Sequence, residues 1–60
     1  MEITEKELRK IRDKRVSRGI SQKEIADMIG STEKQYRKWE KGQDDMPPAI
    51  YEDICSILGL

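Results

Sequence analysis

Three times in 60 residues a Ser or Thr is followed three positions later by Glu or Gln: Thr4–Glu7, Ser21–Glu24 and Thr32–Gln35. At a helix N-terminus this spacing forms a capping box. The hydroxyl accepts from the third helical amide, and the Glu or Gln side chain reaches back to the amide of the cap. Ile3 and Ile20 precede the first two caps, and Leu8 and Ile25 stand at the fourth helical positions, so apolar staples are expected there as well. The last two boxes constrain the chain most. A helix begun at Gln22 has to stop by Gly30, because Thr32 already caps the next one.

Two short helices joined by so tight a turn predict a helix-turn-helix over residues 21–42. In many DNA-binding domains the second helix of this unit enters the major groove. The surrounding signals predict a first helix from Glu5 to Arg18, ended by Gly19. The second runs from Gln22 to Ile29 and the third from Glu33 to Lys41, closed by Gly42. A polar loop, Gln43-Asp44-Asp45-Met46, leads to a fourth helix opened by Pro48, whose missing amide proton costs little in a first turn. Residues 1–60 therefore read as one all-α, compact four-helix domain with no strand.

A domain this small has a limited core. One Cys and no His exclude an internal disulfide, a zinc finger and a Cys/His nucleophile pair. No metal, cofactor or enzymatic activity is expected. A charged N-terminus and the absence of a long apolar run predict a soluble, cytoplasmic protein without membrane contact. Net charge is zero, but the signs are segregated. Residues 1–43 hold all 12 basic residues and eight of the 12 acids, whereas Asp44, Asp45, Glu52 and Asp53 fall in a tail with no base.

Helical periodicity sorts the side chains into faces. Leu8, Ile11 and Arg15 share one stripe of helix 1. Ile25, Ala26 and Ile29 share one of helix 2. Tyr36, Trp39 and Glu40 turn inward on helix 3, and Ile50, Tyr51, Ile54, Ile57 and Leu58 do so on helix 4. Two charges, Arg15 and Glu40, thus lie on apolar faces. Either they pair across the helices, as the cost of burying a lone charge favours, or each reaches solvent and Glu40 pairs locally with Arg37 or Lys41. Tyr36 and Trp39 read as core rather than as stacking platforms for bases, and Cys55 as a small residue at the core edge.

The outward side of helix 3 carries Lys34, Arg37, Lys38 and Lys41, at spacings of 3, 4 and 7. A nine-residue helix is about 13 Å long, a fit to a major groove about 12 Å wide. The bland alternative is a solvated face. Gln22 opens helix 2, where free amides suit a phosphate, although Gln is also an ordinary first-turn residue.

These residues resemble a known family. Ser21-Gln22-Lys23-Glu24-Ile25-Ala26-Asp27-Met28-Ile29-Gly30 is similar to the second helix of the phage repressor and Cro-like helix-turn-helix family. Thr32 through Trp39-Glu40-Lys41-Gly42 looks like its recognition helix, and Ile54–Leu60 resembles its closing helix. The likeness covers residues 8–60. It implies a transcriptional regulator binding a palindromic double-stranded operator, with Glu33, Lys34 and Lys38 at base edges and Gln22 and Thr32 at the backbone. Arg37 and Lys41, on the same basic stripe, are expected at the backbone too. The resemblance also implies that Arg15 pairs with Glu40. Lys14 stands where relatives usually have an apolar residue, and Ser31 where Val is common. Many relatives continue into a fifth, dimerising helix, and with only four helices read here the expectation is a weak dimer or a monomer free in solution, pairing as a homodimer mainly on DNA. The alternative is a protein-interaction module on the same fold, using the acidic helix 4 against a basic partner.

Overall fold

The computed structural model describes residues 3–60. Four helices follow in order: α1 Glu5–Ser17, α2 Gln22–Met28, α3 Glu33–Glu40 and α4 Pro48–Leu58. The described residues contain no strand. The first three helices each end one residue earlier than the sequence predicts, because Arg18, Ile29 and Lys41 serve as C-caps and not as last helical residues.

The starts are set locally. The Thr4 and Ser21 hydroxyls accept from the amides of Glu7 and Glu24, at 3.3 and 3.0 Å, and both glutamates reach back to the cap amide. The third box is only half formed. Thr32 accepts from the Gln35 amide at 3.1 Å, but the Gln35 side chain turns away and donates to Asp44 Oδ2 at 3.2 Å. A glutamine, unlike a glutamate, has an amide donor to give, and the Asp44 carboxylate in the following loop accepts it in a charge-assisted bond.

The stops are equally local. After α2 the Ser31 amide donates to the Ala26 carbonyl at 2.8 Å and the Gly30 amide to that of Asp27 at 3.2 Å. This pair of bonds needs a left-handed residue between helix and turn, and Gly30 supplies it with φ of 73°. The same pair of bonds ends α1 and α3, through Ile20 to Arg15 and Gln43 to Lys38.

α2 packs on α3, and α1 packs on both α3 and α4. Tyr36, Ile11, Ile25, Ile54 and Leu58 are fully buried between them, each contributing roughly 1.5–3 kcal/mol of apolar transfer. Ala26 is also fully buried, and its small side chain lets α3 approach α2 closely. Ile29, Trp39, Ile50, Tyr51 and Ile57 are half-buried against this core, as are the staple residues Ile3, Leu8 and Ile20. Met46 departs from expectation. The loop that reads as polar sends this side chain into the core, leaving it 7% exposed. An unbranched, polarisable thioether fills such an irregular gap well. Among the described residues, no helix is long and apolar enough to cross a membrane.

Candidate nucleic-acid interface

The α2–turn–α3 unit presents the outward side of α3. Lys34, Arg37 and Lys41 are exposed there and Lys38 is half-buried, while Tyr36 on the opposite side anchors the helix in the core. Lys34, Lys38 and Lys41 have no ion-pair partner among the described residues. Arg37 has one: its Nη2 lies 3.5 Å from Glu33 Oε2, one turn back, with both side chains about half exposed. A pair this open contributes little to stability. It holds the Glu33 carboxylate over the helix start and balances its charge. Thr32, at the head of the helix, is exposed with its hydroxyl engaged in the cap.

A polar cluster fixes how this unit meets α1. Arg15 Nε and Nη2 donate to Glu40 Oε2 and Oε1, both at 3.1 Å, and Nη1 donates to the Ile20 carbonyl at 2.8 Å. The two side chains retain only 11% and 5% exposure, so the interhelix pair forms and neither charge reaches solvent separately. Burial opposes the Arg15 charge, but the Glu40 carboxylate outweighs it and holds the guanidinium above its ordinary pKa. The Tyr36 hydroxyl is buried beside them. Desolvation, and then the negative field of Glu40, push its pKa well up, yet it makes no hydrogen bond of normal length.

Gln22 belongs partly to this cluster. It is half-buried, and its Nε2 donates to Glu40 Oε1 at 3.4 Å. The structure thus brings Gln22, Arg15 and Glu40 together, and sets Glu33 with Arg37 on a separate face. The Gln22–Glu40 bond has no signal in the sequence, because a first-turn glutamine already has a sufficient local explanation. No group of three or more His, Cys, Asp or Glu among the described residues is arranged to hold a metal ion.

A family model described as helix-turn-helix matches residues 11–60 of the chain. No curated protein and no solved structure matches it.

Proposed function

The chain belongs to the DNA-binding helix-turn-helix family, in its repressor and Cro-like form, and from that premise we propose that it is a repressor-like transcriptional regulator reading double-stranded DNA with α3 in the major groove. The observation that carries this reading is the set of cations without an ion-pair partner among the described residues, Lys34, Lys38 and Lys41, on the side of α3 that the core leaves open. Eight helical residues span about 12 Å, a match to the groove. Lys34 and Lys38 face base edges. Glu33 accepts from a cytosine amino group when Arg37 releases it to take a phosphate. Lys41, Thr32 and Gln22 contact the backbone. Two copies on a palindrome place their α3 helices about 34 Å apart.

Titration of a random-sequence duplex at about 50 and 200 mM salt tests the reading. With three to five phosphates neutralised per subunit, log affinity should fall against log salt with a slope of about −3 to −5. A flat response, or no binding in dilute salt, would favour a protein-interaction module. The specific support for that second reading is the base-free stretch of residues 44–60, with its four carboxylates.

A further inference from the structure

The most positive element of the chain is not α3. Residues 5–18 carry seven basic side chains against three acids, whereas residues 33–41 carry four against two. One side of α1 opens on a groove that it shares with the DNA-reading unit: Arg9 and Arg12 line it together with Gln22 and Lys41. Neither arginine is strongly committed elsewhere. Arg9 stands 3.9 Å from Glu5 and Arg12 3.7 Å from its neighbour Asp13, in pairs more than half exposed at both ends. Such pairs are worth little and are readily exchanged.

The geometry points to Arg9 and Arg12 as additional contacts to the DNA backbone, carrying the footprint from Gln22 and Lys41 onto α1. This rests on the DNA-binding reading above and extends it to an element outside the helix-turn-helix. Guanidinium is the right group, since its planar fork donates two parallel bonds to a phosphate. Four acids line the same groove, Glu5, Glu40, Asp44 and Asp45, and of these Glu40 is taken up by Arg15. Glu5 is the exposed partner of Arg9, and Asp44 accepts from Gln35. Repulsion from the two loop carboxylates steers a phosphate toward the α1 side, where both arginines stand.

The test is the salt dependence of random-duplex binding by the full chain and by Arg9→Gln, Arg12→Gln and the double variant. Lys10→Gln is the control. It removes the same charge from the same helix, but Lys10 lies about 100° round from Arg9 and about 160° from Arg12, and it does not line the groove. Each arginine variant should reduce the magnitude of the log–log slope by about 0.9, the double by about twice that, and Lys10→Gln by much less. The loss should be equal on all duplex sequences, and Arg12→Lys should restore most of the slope. Circular dichroism melting of each variant shows whether the fold is intact. Arginine variants that behave like Lys10→Gln overturn this extension and leave the DNA reading standing. No duplex binding by the unaltered chain at low salt overturns both.

Discussion

Arg15 and Glu40, 25 residues apart, meet as a two-pronged ion pair with both N–O distances at 3.1 Å. The third donor of the guanidinium holds the Ile20 carbonyl, at the entrance to the helix-turn-helix. One side chain of α1 therefore fixes both ends of the helix-turn-helix. Removing one partner leaves a desolvated charge without compensation. Arg15→Met alone should destabilise by about 3–5 kcal/mol, and Arg15→Met with Glu40→Leu by much less. A double-mutant cycle on urea unfolding measures the coupling. A value under about 1 kcal/mol would mean that the pair behaves as if it were at the surface.

Tyr36 gives the opposite expectation. Its ring is fully buried, and its hydroxyl makes no hydrogen bond of normal length among the described residues. An unsatisfied buried polar group costs about 1–3 kcal/mol, so Tyr36→Phe should leave stability unchanged or raise it by about 1 kcal/mol. In a 60-residue domain that gain moves Tm up by about 4–8 °C. A drop in Tm of similar size would show that the hydroxyl is bonded to Glu40 in solution.

The Ser21 cap ties stability to pH. The Ser21 amide, and then its hydroxyl, hold the Glu24 carboxyl below the ordinary glutamate value of 4.5. A group depressed in the folded state stabilises above its unfolded pKa and loses that contribution as pH falls through its folded pKa. The Glu24 contribution is thus complete above pH 4.5 and disappears below it. Glu24→Gln keeps the shape of the box without the titration. Urea unfolding between neutral pH and acid should show a shallower decline for this variant, and identical pH profiles would contradict the assignment.

The base readout and backbone contacts proposed for α3 should separate by mutation. Lys34→Ala and Lys38→Ala should each cost about 1–3 kcal/mol on the preferred site and relax preference at particular base pairs. Lys41→Ala should weaken all duplexes alike. Selection from a random pool with each variant is the measurement, and unchanged preferences for both Lys34→Ala and Lys38→Ala would remove these residues from the base-reading set.

The helix boundaries were legible because capping residues and glycines act within a few positions of one another, and the expected ends were off by a single residue. Arg15–Glu40 was legible for another reason: a charge on an apolar stripe has few places to go. Met46 was not, since two prolines and a turn erase the periodicity that marks a core position. The links of Gln35 to Asp44 and of Gln22 to Glu40 were hidden too. A polar side chain at a helix start has a local use, and only the packed structure shows that it serves a distant partner. On the interface, the stripe of cations could be read from spacing, but the Glu33–Arg37 pair within it depends on rotamers that spacing does not determine.

The three glycine-ended turns, with a cap at the start of each of the first three helices, bear on the order of folding. Where each helix begins and ends is dictated by residues beside it, and chains dominated by near-neighbour contacts fold fast. The Arg15–Glu40 bridge is of the other kind, closing a span of 25 residues. It should form after the crossing of the folding barrier. Arg15→Met is then expected to multiply the unfolding rate while scarcely altering the refolding rate, a division that stopped-flow chevrons resolve. Equal changes in both arms would place the bridge inside the folding nucleus.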